Sequence, residues 1–267
     1  MSHLLREFAP ITSAGWEGID EEARQRLTPG LAARKLVDFN GPRGWQHSAT
    51  SLGRIEPVKK VPFAGIAANR RQVLPLVELR ADFALSRGEL ADGDRGAQDV
   101  DYGSLDAAAQ NLAVAENTAV FHGWPAVGIL GMAEVSTHKP IPLGDDCALY
   151  PRHVAAAINA LLSVGIDGPY GMALGPAAYQ RVLETSEHGG YPLLEHVREI
   201  LGGPLVWAPG VSGAVVLSTR GGDFLFDSGE DISVGFDRVE GDAVHLYLEE
   251  SLSFRVVTPE AAVILTD

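Results

Sequence analysis

Apolar residues recur along the chain at spacings that name the elements before any composition is counted. Trp16, Ile19, Ala23 and Leu27 fall three and four apart, with Glu17, Asp20, Glu21, Glu22 and Arg24 on the other faces. That period predicts an amphipathic helix, capped by Thr12 or Ser13 and interrupted at Pro29-Gly30. Leu31 to Asp38 and the turn signal Asn40-Gly41-Pro42 follow. Between 50 and 72, Leu52, Ile55, Val58, Val61, Phe63 and Ile66 fit neither period and sit among Pro57, Pro62, Lys59-Lys60 and Arg70-Arg71. This reads as a long extended loop or irregular hairpin whose apolar side chains pack on something else.

Alternation resumes with Val73, Pro75, Val77, Leu79, Ala81, Phe83 and Leu85 on one parity, which predicts one strand. A helix of about 17 residues starts near Ser104, with Leu105, Ala108, Leu112, Ala115 and Ala119 on one stripe. Three helices are expected between 150 and 202, the second starting near Pro176 and the third stopped by Gly202-Gly203. Short strands follow at Leu205–Ala208 and Ala214–Ser218, and Gly221-Gly222 reads as a hairpin turn. Val244, Leu246, Leu248, Leu252, Phe254 and Val256 share one parity, broken by Glu250, and as one strand would span roughly 45 Å. Helices followed by strands, without regular βαβ alternation, make the fold class α+β.

The 267 residues are 46% hydrophobic and 21% charged, enough for a large buried core. Twenty-one basic against 35 acidic residues leave a net charge of −14, which disfavours nucleic acid as a partner. No apolar run reaches the ~20 residues of a membrane span, so no membrane partner is expected. The N-terminus lacks the basic start and apolar stretch of a signal peptide, and the single cysteine, Cys147, permits no internal disulfide; a cytoplasmic location is expected.

Chemistry-bearing motifs are absent. There is no P-loop, GxGxxG, HExxH or GxSxG, and Gly210-Val211-Ser212-Gly213 lacks the spacing of a nucleophile elbow. Asp92, Asp94, Asp99 and Asp101 resemble a calcium loop, but Gly96 and Ala97 stand where an oxygen ligand and a glycine are needed. They are expected to form a solvated acidic loop leading to a helix cap. The eight histidines form no ligand pair at helical spacing. Neither a metal, a cofactor nor an enzymatic activity is expected.

Several strings, in order along nearly the whole chain, resemble the encapsulins, bacterial and archaeal proteins that assemble into hollow nanocompartments. They are Arg6 to Pro10 with Trp16 and Ile19-Asp20, Ala33 to Asp38, Gly41-Pro42, Leu76 to Arg80 with Phe83, Asp167 to Tyr170, and Gly190 to Pro192. Ser218 to Asp223, Glu230 to Gly235 and Glu249 to Phe254 complete the set. The resemblance implies the Hong Kong 97 phage major capsid fold. Its parts would be an N-terminal helical arm at 1–46, an extended loop at 47–76, a peripheral domain with a spine helix at 77–138 and 220–267, and an axial domain at 139–219.

It also implies a function without catalysis: a closed icosahedral shell of sixty copies enclosing a cargo enzyme through that enzyme's C-terminal targeting peptide. The implied cargo is a dye-decolourising peroxidase first and a ferritin-like protein second. By resemblance the peptide docks on Leu31, Arg34, Asp38, Asp231, Ile232 and Val234, although Arg34 and Asp38 are also spaced to form an i,i+4 ion pair. Glu184, Glu187, His188, Gly189 and Gly190 match the loop lining the five-fold pore, one glycine longer here than the family pattern. Its acids would favour cations and His188 would respond to pH. Gly88 stands where some members carry a flavin-holding aromatic, so no flavin is expected. The alternatives are a phage or prophage capsid protein packaging DNA, opposed by the net charge and the lack of a basic arm, and a peptidase, opposed by the missing motifs.

Overall fold

The computed structural model describes residues 3–144, 146–186 and 190–267. Helix α1 (Ser13–Gly30) starts where Thr12 Oγ1 accepts the Gly15 N–H at 3.0 Å, and it buries Ile19, Ala23 and Leu27. The helix ends at Gly30, at the expected Pro29-Gly30 interruption, and Leu31 N–H reaches back to the Leu27 carbonyl to close its last turn. A 3₁₀ turn over Ala33–Lys35 leads into β1 (Asp38–Asn40).

Residues 50 to 72 form a hairpin: β2 (Ala49–Pro57) pairs antiparallel with β3 (Asn69–Pro75) in a sheet of its own. The single strand expected from Val73 to Leu85 is divided at Leu76. β3 ends at Pro75, Leu76 N–H still donates to the Ser48 carbonyl at 3.0 Å, and β4 (Val77–Ser86) belongs to another sheet. The acidic segment is partly helical, since Ser86 Oγ caps α2 (Arg87–Asp94), which contains Asp92 and Asp94. Asp101 accepts the Gly103 N–H at the start of the long helix α3 (Gly103–Phe121).

The short α4 (Met132–Val135) and β5 (Ile141–Pro142) lead to α5 (Tyr150–Ser163), β6 (Tyr170–Leu174), α6 (Pro176–Glu184) and α7 (Leu193–Leu201). Then come β7 (Leu205–Trp207), β8 (Ala214–Ser218), β9 (Phe224–Ser228), β10 (Ser233–Glu240), the 14-residue β11 (Ala243–Val256) and β12 (Ala262–Thr266). One five-stranded sheet runs β1-β9-β11-β10 with β4 on the far side of β11; the other runs β5-β12-β8-β6-β7.

Two expectations fail against this topology. Gly221-Gly222 is not a hairpin turn, because β8 and β9 lie in different sheets; the pair, at φ 89° and 85°, turns the chain from one sheet to the other. The segment 220–267 is not one unit either: β12 pairs with β8 and β5 in the sheet that carries residues 139–219. An all-apolar strand such as Ala262–Leu265 satisfies either sheet's inner face, so its partner is decided by where the chain can reach.

α3 lies against β4, β11 and α1, burying Leu105, Ala108, Ala109 and Leu112. Each buried leucine contributes roughly 2 kcal/mol. The hairpin is the opposite case: Phe63 is 67% exposed and Ile55 and Ile66 are each 59% exposed. Within one chain those side chains find no core.

Candidate functional site

The C-terminal end of α1, the following 3₁₀ turn and the start of β10 enclose a groove of about 480 Å³ whose walls include Leu4, Leu27, Leu31, Arg34, Asp231 and Val234. What shapes it is a buried amide. Asn117, fully buried on α3, accepts N–H bonds from Ala32 and Ala33 at 3.1 Å. Its side-chain nitrogen donates to the carbonyls of Gly30 (2.7 Å) and Pro209 (2.9 Å). All four of the bonds the amide can make are therefore made, and the bend after α1 that carries Leu31 and Arg34 has one conformation.

Arg34 points from that bend into three carboxylates. Its Nε donates to Glu116 Oε2 at 2.7 Å, Nη1 to Asp231 Oδ1 at 2.6 Å and Nη2 to Glu250 Oε2 at 2.7 Å. The guanidinium also lies over the rings of Phe39 (4.9 Å) and Phe226 (5.6 Å). Glu116 and Glu250 are buried, whereas the Asp231 side chain is 45% exposed at the groove.

Burial works against the charge on Arg34, but Glu116, Glu250 and Asp231 outweigh it and hold its pKa above the usual guanidinium range. Burial raises Glu116, opposed by Arg34. Burial and the neighbouring charge of Glu116 push Glu250 well above the usual carboxylate range. Oε1 of Glu116 and Oε1 of Glu250 are each buried without a donor. Burial therefore disfavours charge on both Glu116 and Glu250 at once, and Arg34 opposes that effect at each of them.

Of the residues expected to receive a peptide, Leu31, Arg34, Asp231, Ile232 and Val234 meet at this groove. Asp38 does not. Its carboxylate accepts the Gly222 N–H at 2.6 Å and lines a separate cleft, so the i,i+4 pair with Arg34 is not formed. Leu4, Leu27, Glu116 and Glu250 belong to the site and were not singled out. Two of them left a signal: Glu250 breaks the apolar parity of β11, and Glu116 falls on the buried stripe of α3 between Leu112 and Ala119.

In the pore segment, Glu184 ends α6 and accepts from Gln180 Nε2 at 2.7 Å, and Gly190 has φ 83°. Glu187, His188 and Gly189 lie outside the described residues. Among the described residues no group of His, Cys, Asp and Glu is arranged to hold a metal ion, and no helix is long and apolar enough to cross a membrane.

The family described as encapsulating protein for peroxidase matches residues 1–253. A type 1 encapsulin shell protein of Rhodospirillum rubrum is 46% identical over 268 residues, covering 98% of this chain and 96% of its own. That of Mycobacterium tuberculosis is 40% identical over 266 residues, covering all of both chains. Among solved structures, the virus-like particle of Pyrococcus furiosus aligns with TM-score 0.64 at 19% identity, over 94% of this chain and 98% of that one. The capsid of an empty GTA particle aligns with TM-score 0.55 at 15% identity, over 88% and 89%. These likenesses show the Hong Kong 97-like capsid fold that the sequence strings implied. With a family match over nearly the whole chain and relatives above 40% identity, the chain belongs to the type 1 encapsulin shell proteins, structural subunits of a capsid-like shell and not enzymes.

Proposed function

We propose that the chain closes, in sixty copies, into a cytoplasmic shell that captures a peroxidase by docking an extended segment of it, its C-terminal targeting peptide, in the groove between α1 and β10. The groove itself carries this reading. It offers aliphatic walls (Leu4, Leu27, Leu31, Val234) to alternate apolar side chains, and an Arg34–Asp231 pair at its edge to set register. A peroxidase is the favoured cargo because the family is described by it; a ferritin-like protein is the second. The exposed apolar hairpin supports assembly, since symmetry repeats its burial at every interface.

The test is native mass with imaging of the same fraction. Sixty chains of 28.4 kDa give about 1.7 MDa in closed particles. Co-expressed peroxidase should be enclosed only while its C-terminal segment is intact, and Ile232→Asp should empty the shells without breaking them. Monomers, or enclosure indifferent to that segment, overturn the reading.

The same proposal places 184–190 around the five-fold pore, with Glu184 and Glu187 favouring cations. Shells carrying Glu187→Gln or His188→Ala should admit cationic solutes at altered rates; unchanged rates remove the pore assignment.

A further inference from the structure

Strand β10 is the outermost strand of its sheet, bonded on one side to β11. On its other side it has a visitor from the far end of the chain: Phe236 N–H donates to the Leu4 carbonyl at 2.9 Å. The segment carrying Leu4 is held on both flanks. Ahead of it the His3 ring stacks on Trp45 at 4.0 Å with 11° between planes, and Nε2 lies 2.9 Å from Glu249. Behind it Arg6 bonds Asp20 at 2.7 Å and lies 4.0 Å over the Trp16 ring. Between these anchors Leu5 sits at φ 53°, the single non-glycine residue at positive φ among the described residues. A leucine takes that conformation only when its surroundings demand it.

Alternate residues of a strand turn their main-chain groups to the same side. The outward N–H of Phe236 therefore places the N–H and C=O of Val234 on the same free edge, at the wall of the groove, two residues short of the strap. Leu4 and Arg6 line that groove as well. We propose that residues 3–6 are a fixed strap closing one end of the groove: an extended peptide adds to the edge of β10 at Val234 and stops against Leu4, so the strap sets how many of its residues are read. This rests on the reading that the groove takes an extended peptide.

The experiment uses assembled shells and fluorescein-labelled peptides of increasing length, copied from the C-terminus of the protein recovered inside native shells. In the wild type, affinity should stop rising with length once the peptide reaches Leu4, and the Val234 amide should become protected from hydrogen exchange. Unpinning the strap with His3→Ala and Arg6→Ala together should let longer peptides gain about fivefold, the value of roughly one more hydrogen bond. Trp45→Ala, which removes the stack alone, serves if the double variant does not assemble. Equal length profiles in pinned and unpinned shells, or an unprotected Val234 amide with peptide bound, overturn the strap while leaving the groove reading intact. A wild type that binds none of these peptides overturns both.

Discussion

Arg34 and Glu250 stand 216 residues apart in sequence and 2.7 Å apart in space, Nη2 to Oε2, joining the bend after α1 to the middle of the longest strand. Because Asp231 shares the same guanidinium, a residue at the mouth of the groove is tied through Arg34 to two buried carboxyls.

Removing Arg34 should cost far more than removing one acid. Arg34→Met leaves Glu116 and Glu250 buried without their counter-charge, a loss of about 3–5 kcal/mol. It should show as a large fall in the melting temperature of the shell or as unassembled protein. Glu250→Gln keeps a neighbour for Nη2 and can donate to Glu116, so its cost should stay near 1 kcal/mol. Equal melting temperatures for the two variants would contradict this account of the cluster.

The cluster also sets an alkaline limb. Glu250 has its pKa raised in the folded state, so its contribution to stability is complete below the ordinary carboxylate pKa and is lost as pH rises through the folded value. Melting temperature should therefore fall toward alkaline pH in the wild type and less steeply in Glu250→Gln. Thermal melts across a pH series read this directly, and parallel profiles would exclude it.

His122 sets an acid limb. Its Nε2 accepts the Ser212 N–H at 3.1 Å, which requires the neutral ring, and burial lowers its pKa. The stability it contributes is present above the ordinary histidine pKa and is lost as pH falls through the lowered folded value. Ser212 lies beside Gly213, whose N–H donates to the Asp267 carboxylate at 2.9 Å, so the bond ties the end of α3 to the end of the second sheet. His122→Asn should flatten the acid side of the melting profile; a profile as steep as that of the wild type would remove the assignment.

Asn117→Ala deletes four hydrogen bonds: the Ala33 N–H and the Pro209 carbonyl lose this partner, while the Ala32 N–H and the Gly30 carbonyl keep each other at 2.8 Å. Stability should drop by about 2–4 kcal/mol. The groove should lose peptide affinity as well, because Leu31 and Arg34 lose their fixed bend. A fluorescence-anisotropy titration alongside the melts separates the two effects.

Phe63→Ser with Ile66→Ser should leave the folded subunit intact and lower its assembly. Both side chains are exposed in the single chain, so the substitutions remove nothing from its core. The measurement is the ratio of shell to free subunit by native mass; an unchanged ratio would mean that the hairpin tip is not an interface.

Period and parity determined most of the elements. The apolar stripes placed α1, α3, α5, α6 and α7, and the same-parity run placed β11, because burying one face imposes a repeat that survives in the sequence. The ordered strings from Arg6 to Phe254 implied the capsid fold and the family, which the full-length relatives then showed. Strand pairing was not legible. The break at Leu76, the crossing at Gly221-Gly222 and the placement of β12 in the second sheet depend on which edge a strand reaches, and an apolar strand carries no label for its partner. The charge cluster was barely legible: Glu250 broke the apolar parity of β11, but Glu116 went unremarked on its helix and their common partner Arg34 lies 82 and 216 residues away. Only the packing of α3 against β11 and the bend after α1 brings the three together, since the neutralisation of a buried charge depends on distance in space and leaves no period along the chain.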